Sequence, residues 1–269
     1  MIIRHDLKIV FLHVPKCAGK QLRCIFKTTK DKSLVEELWN YEYNKYLERY
    51  VDMAHLPMSD LRHYPQFSYL DEYRVIACVR NPYMRLASAA NEYYRQKSKM
   101  HESIINEGKI TTEMKEKYYK MLKKKHIEQD PRFIHSQPMY KFTHYGREPK
   151  VDYLLRCETL KDDIENLAKK LEWPEEIKNI IPRYINSVTP ENAKIKPSNR
   201  ELELAETLYR DDLETFGYQN KTKNRNGNTN KSASAGEARK IHRCDSVEWH
   251  WGPRAFKGQT SMEPIRKKW

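Results

Sequence analysis

Glycine is scarce in this chain, with 8 in 269 residues, about 3% where ordinary usage is roughly 7%. Four of them (Gly227, Gly236, Gly252, Gly258) follow residue 219. Each glycine left in the body (Gly19, Gly108, Gly146, Gly217) therefore marks backbone that has no room for a Cβ or needs a left-handed turn. Cysteine is nearly as sparse. Cys17, Cys24, Cys78, Cys157 and Cys244 are odd in number and contain no CxxC pair, which excludes a disulfide framework and a zinc knuckle and reads as reduced thiols. Long apolar runs are missing too. The longest, Ile9 to Leu12 continued by Val14, is far shorter than a bilayer requires, and mean hydropathy is −0.92. The first residues carry no secretory apolar block, so the expectation is a protein with no membrane span that stays in the cytoplasm.

What the chain has in excess is positive charge, +13 overall. Residues 220–269 hold 12 Lys/Arg against 4 Asp/Glu, so a net +8 sits there and +5 on residues 1–219. That segment is rich in Asn, Lys, Gly and Ser and has no periodicity, the composition of a disordered appendage. The division expected is one domain over 1–219 and a basic low-complexity tail over 220–269, with no specific nucleic-acid partner. Trp249, Trp251 and Trp269 leave a docking segment open within the tail.

The body repeats one pattern three times. Leu7–Val14, Tyr73–Arg80 and Val151–Glu158 are short apolar runs rich in branched residues, each followed by a turn and an amphipathic helix. Leu22, Ile25 and Phe26 mark the first helix; Leu86, Ala90 and Tyr94 mark the second; Leu160, Ile164, Leu167 and Leu171, opened by a Thr159/Asp162 capping box, mark the third. A second capping box, Ser198/Glu201, opens a stripe of Leu202, Ala205, Tyr209, Leu213 and Phe216 that closes at Gly217. Repeated strand–helix units predict an α/β fold of P-loop-like, three-layer form, a central parallel sheet flanked by helices. Ligands of such folds bind at the carboxyl ends of the strands. Gln96 to Asp130, with Lys123, Lys124 and Lys125, reads as a solvated helix pair or an insertion over that edge.

Three segments meet at the same edge. The loop after the first strand, His13-Val14-Pro15-Lys16-Cys17-Ala18-Gly19-Lys20-Gln21, aims backbone N–H groups and a helix start at one point, with Lys16 and Lys20 adding charge. It reads either as an anion cradle or as a tight turn with surface lysines. Walker spacing fails, because Val14 and Gln21 stand where glycine and Ser or Thr belong. After the second strand, Arg80-Asn81-Pro82 and Ser88 offer a bidentate donor and a hydroxyl to a second anion. Between them, His55 in Ala54-His55-Leu56-Pro57 has an imidazole suited to taking a proton near neutral pH, with Asp52 able to orient it. His63, His135, His144 and Gln137 are further pocket candidates, Glu158 a candidate second base, and Cys17 beside lysines a thiol with a candidate lowered pKa.

Together these segments resemble the sulfotransferases that use 3′-phosphoadenosine 5′-phosphosulfate (PAPS), in particular the carbohydrate-type branch. Val14-Pro15-Lys16-Cys17-Ala18-Gly19 is similar to the 5′-phosphosulfate loop, Arg80-Asn81-Pro82 through Arg85 and Ser88 to the 3′-phosphate motif, and Ala54-His55-Leu56-Pro57 to the segment with the catalytic histidine. Gln129–Tyr140, Tyr153–Leu160 and Leu208–Tyr218 are similar to later blocks, so residues 1–219 are covered. The resemblance implies sulfuryl transfer from PAPS, without metal, to an acceptor hydroxyl of a carbohydrate or other small alcohol, an anionic glycan being one candidate. It implies that Lys16 and the loop from Cys17, Ala18 and Gly19 to Lys20 and Gln21 hold the 5′-phosphosulfate, that Arg80 and Ser88 hold the 3′-phosphate, that Lys16 also neutralises the reacting oxygens, and that His55 is the base. Lys20 and Gln21 replace the Thr or Ser usual in the family, and the family's late basic contact to the 3′-phosphate has no clear counterpart, with Lys194 and Lys196 the weak candidates for it. The competing readings are a P-loop-type kinase and a tail-driven nucleic-acid binder, the latter distinguished by steep salt dependence.

Overall fold

The computed structural model describes residues 1–100, 110–123, 127, 130–185 and 197–218, with side chains from 97 to 100 not described. The expected tail, Lys124 and Lys125, most of the insertion before Ile110, and Lys194 and Lys196 lie outside the described residues.

Among the described residues the main sheet has five strands, in the order β3 (Val35–Glu37), β1 (Ile2–Arg4), β2 (Ile9–Leu12), β6 (Arg74–Val79), β9 (Tyr153–Arg156). All three apolar runs named from the sequence became its parallel strands, β2, β6 and β9. The expectation of a parallel sheet holds for those three only. β1 runs antiparallel to both β2 and β3, which makes the sheet mixed. The reason is local: β1 and β2 are separated by a tight turn at residues 5–8, where Lys8 adopts φ 49, and a turn that short returns the chain antiparallel. β2 lies inside the sheet and is buried along its whole length; β9, at the edge, is only half covered.

Two hairpins stand apart from this sheet, β4 (Tyr41–Asn44) with β5 (Arg49–Asp52) and β7 (His144–Tyr145) with β8 (Glu148–Pro149). Helix α1 (Gly19–Phe26) follows β2 and buries Leu22, Ile25 and Phe26, with Phe26 stacked on Phe11 at 4.9 Å between ring centroids. Short helices α2 (Met58–Leu61) and α3 (Tyr69–Glu72) lead into β6. The long α4 (Pro82–Met100) starts where Asn81 Oδ1 accepts the Tyr83 N–H at 3.0 Å and Pro82 supplies a preset φ. Leu86, Ala90 and Tyr94 of α4 pack with α5 (Thr112–Met121) and with Leu202, Ala205 and Tyr209 in a second apolar cluster, separate from the one built on the sheet.

The Ser198/Glu201 capping box forms as expected, and Gly217 takes φ 67 with Tyr218 N–H returning to the Leu213 carbonyl at 3.0 Å. The stripe before it is not one helix. It breaks at Tyr209 into Asn199–Leu208 and Arg210–Thr215, the geometry in which the Tyr209 ring is fully buried and its hydroxyl donates to the Ser136 carbonyl at 2.9 Å. The Thr159/Asp162 box does not form. Thr159 Oγ1 donates to Asp163 at 2.9 Å instead, and that carboxylate also accepts the Arg156 N–H at the end of β9.

Candidate functional site

The carboxyl ends of β2 and β6 open onto one corner of the molecule. Beyond Leu12, the chain turns through Lys16 at φ 65 and Ala18 at φ 55 before α1 begins at Gly19. Two non-glycine residues in the left-handed region form a strained turn of the kind that concentrates at functional sites and gathers backbone N–H groups into a concave nest. The first N–H groups of α1 have no intrahelical acceptor and add the positive end of the helix dipole.

Helix α4 supports this loop from the side. Arg85 is fully buried and donates through Nε to the Pro15 carbonyl at 3.0 Å and through Nη2 to the Gln137 carbonyl. One face further along, Glu92 accepts from Lys16 Nζ at 2.9 Å and is also bound by Arg95 and Gln96. Burial pushes the Glu92 carboxyl up, but the Arg95 hydrogen bond and Lys16 outweigh it and hold the pKa down at about 2. Ser88 lies between Arg85 and Glu92 at helical spacing, so its half-buried side chain shares their loop-facing stripe. Arg80, at the end of β6, donates to the Lys16 carbonyl at 3.5 Å. Lys16 and Arg80 therefore meet at one turn of chain. Lys20 is exposed, and Gln21 half-buried, on the first turn of α1.

His55 closes a single 3₁₀ turn, Met53–His55, that follows β5. Asp52 fixes it twice: Oδ1 accepts the Ala54 N–H at 3.0 Å, and Oδ2 lies 3.0 Å from His55 Nδ1. Burial pushes the Asp52 carboxyl up, yet the hydrogen bond and charge of His55 hold it below its ordinary value. An ionised carboxylate only accepts, so Nδ1 carries the hydrogen and Nε2 is left as the basic nitrogen. His13 joins this imidazole to the loop. Its ring centroid is 4.3 Å from that of His55, and a Cβ built on Gly19 would sit 1.7 Å from His13 Nε2. The glycine is there because the imidazole occupies that space. His135 meets His55 from the other side at 5.1 Å. Burial, then the nearby His55 and Lys16 charges, lowers His135 to about 3, and burial followed by His55 lowers His13 well below the ordinary range. A cleft at His55 is lined by Arg49, Asp52, Leu56, Asp130, Ile134 and Gln137.

Other candidates settle elsewhere. The Cys17 thiol is buried, donates to the Pro15 carbonyl at 3.5 Å, and is pushed well above its ordinary pKa by that burial, which corrects the expectation of a lowered one. Glu158 accepts from the Asn81 N–H at 2.7 Å and the Tyr218 hydroxyl at 3.1 Å, a satisfied strand-end carboxylate. His63 pairs with Arg62, and His144 stacks on Tyr140 at 4.4 Å, both away from the His55 cluster. His13 and Glu92 had no role assigned from the sequence. The four-residue step from Ser88 to Glu92 and the position of His13 immediately before the loop were the available signals. Among the described residues, no three His, Cys, Asp or Glu side chains are grouped to hold a metal ion, and no helix is long and apolar enough to cross a membrane.

PAPS carries two phosphate-bearing ends, and the corner fits such a group: a strained nest at a helix start, Lys16 and Arg80 beside it, and two buried nitrogens, His13 Nδ1 and Arg85 Nη1, without a hydrogen-bond partner among the described residues. A family model described as the sulfotransferase family matches residues 1–219. No curated protein and no solved structure matched the chain.

Proposed function

The chain belongs to the sulfotransferase family, and from that premise we propose that it transfers a sulfuryl group from PAPS to an acceptor hydroxyl, with His55 as the base. The observation that carries the reading is the position of His13, which touches Gly19 of the loop on one side and His55 on the other. Anion nest and imidazole therefore belong to one site.

When bound, PAPS supplies the sulfuryl group and the leaving phosphate. The N–H groups of Cys17, Ala18, Gly19, Lys20 and Gln21 would hold its 5′ end, and Arg80 and Ser88 its 3′-phosphate. Lys16 Nζ is paired with Glu92 at 2.9 Å. Because Arg95 and Gln96 also bind Glu92, that carboxylate stays compensated when Lys16 turns toward a bound anion. Lys16 would then neutralise the charge that grows on the reacting oxygens. His55 Nε2 takes the acceptor proton, and Asp52 stabilises the imidazolium that forms. His135 and His13, held neutral by burial, add no competing charge beside it.

The test is labelled-sulfate transfer from PAPS across polysaccharides, glycolipids, phenols and small alcohols. His55→Ala should lower turnover by about 10²–10⁴-fold and leave titration with adenosine 3′,5′-bisphosphate near normal. Undiminished turnover in His55→Ala would reject the imidazole as the base.

A further inference from the structure

Three of the four cysteines among the described residues meet at one point. Register pairs Cys78 of β6 with Leu155 of β9, and Cys157 stands two residues beyond Leu155, so both thiols project from the same face of the sheet. Their sulfurs are 3.7 Å apart. The Cys157 N–H also donates to the Val79 carbonyl at 2.9 Å, which carries the pairing past the end of β9. Cys17, from the loop after β2, is the third member: its thiol is a hydrogen-bond neighbour of Cys157 and lies 3.6 Å from Met139 Sδ. Nothing in the transfer reading uses these sulfurs.

The three thiols differ in access. Cys17 and Cys78 are each 1% exposed, whereas Cys157 is half-buried just past an edge strand. A small oxidant therefore meets Cys157 first, and Cys78 is the partner at contact distance. An S–S bond is about 2.05 Å long, so the two sulfurs must close by about 1.6 Å. β6 is locked between β2 and β9, and Cys78 cannot follow far in a close-packed interior. Cys157 is the side that moves, and its contact with Cys17 is given up. That contact matters because Cys17 lies between Lys16 and Ala18, the two residues in the left-handed region that shape the nest. Arg80 is two residues beyond Cys78. Burial keeps the Cys17 and Cys78 thiols above their ordinary range, so near neutral pH the change takes hours rather than seconds.

We infer that Cys78 and Cys157 are a reversible dithiol–disulfide couple, and that closing it releases Cys17 and loosens the anion loop. With a low-molecular-weight disulfide such as oxidised glutathione, the Cys157 thiolate attacks one sulfur and a glutathione thiolate leaves. The Cys78 thiolate then attacks Cys157 Sγ and displaces the second glutathione. Two protein thiols lose two electrons and two protons, and one glutathione disulfide becomes two thiols. The couple itself stands apart from the transfer reading; only its effect on the nucleotide rests on that reading.

The test equilibrates the full chain in glutathione buffers of stepped potential, maps its disulfides by mass spectrometry, and follows hydrogen exchange of the Cys17–Gln21 amides and titration with adenosine 3′,5′-bisphosphate. The oxidised chain should carry the Cys78–Cys157 bond, exchange those amides faster, and bind the nucleotide about ten-fold more weakly, the loss of one contact to a charged group. Dithiothreitol should restore both. By linkage, saturating nucleotide should then raise the midpoint potential by about 30 mV. Cys157→Ser should bind the nucleotide as the reduced wild type does and respond to none of the buffers. Absence of the Cys78–Cys157 bond at every potential, or a bond that leaves loop exchange and nucleotide affinity unaltered, would overturn the inference. A bond that speeds loop exchange in a chain that binds no nucleotide in either state would support the couple and remove the transfer reading.

Discussion

Replacing Gly19 by alanine puts a methyl group where His13 already stands. The new Cβ would lie 1.7 Å from Nε2 and 1.9 Å from Cδ2 of that ring, whereas real Cβ atoms essentially never approach closer than 3.0 Å, so the ring or the backbone must yield by at least about 1.3 Å. The imidazole has little freedom to yield, because Phe11 stacks on it at 6.1 Å and His55 lies at 4.3 Å. Two effects compete. Alanine at a helical position gains about 0.5–1 kcal/mol over glycine, and forcing an extra carbon into a packed site costs about 1–3 kcal/mol. The clash wins by up to about 2.5 kcal/mol, which for a domain of this size is a fall in Tm of up to about 10 °C. Displacing His13 also disturbs the face of His55, so turnover should fall more than nucleotide affinity does. The assays are thermal unfolding, adenosine 3′,5′-bisphosphate titration and labelled-sulfate transfer. A double variant with His13→Ala has room for the methyl group and should recover most of the lost Tm, a coupling that a double-mutant cycle measures. A Gly19→Ala protein with unchanged Tm and turnover would refute the contact between His13 and the loop.

Asp52→Asn keeps the size and the cap on Ala54 N–H, but its amide donates to His55 Nδ1 and moves the hydrogen to Nε2; turnover should drop about 10²–10⁴-fold with nucleotide binding unchanged, and normal turnover would show that Asp52 does not set the tautomer. His135 has a folded pKa of about 3, below its ordinary value of about 6.5, so the unfolded chain takes up the proton first. Stability is therefore full above about 6.5 and declines as pH falls toward about 3. His13 acts in the same direction. Urea unfolding across this range should show a shallower acid decline in His135→Gln than in the wild type; equal slopes would mean that His135 is not buried in its neutral form.

The parallel strands β2, β6 and β9 were legible because each is a compact branched run bounded by turn residues. The antiparallel β1 and β3 were not, since three-residue strands such as Ile2–Arg4 and Val35–Glu37 are too short to show a period. The break at Tyr209 was hidden because its apolar spacing continues that of one helix; only the distant Ser136 carbonyl reveals it. Glu92 and His13 gained their roles from partners 76 and 42 residues away, Lys16 and His55, and pairing at such separations leaves no local trace. Asp52, by contrast, stood three residues from His55 and was readable as its orienting carboxylate.

The most direct measurement is titration of the wild-type chain and of Lys16→Ala and Arg80→Ala with adenosine 3′,5′-bisphosphate. If one corner grips both phosphate ends, the wild type binds one equivalent and each substitution weakens it by about ten-fold or more, the loss of one charge-assisted contact. Equal affinity in all three proteins, or no binding by the wild type, would contradict the account.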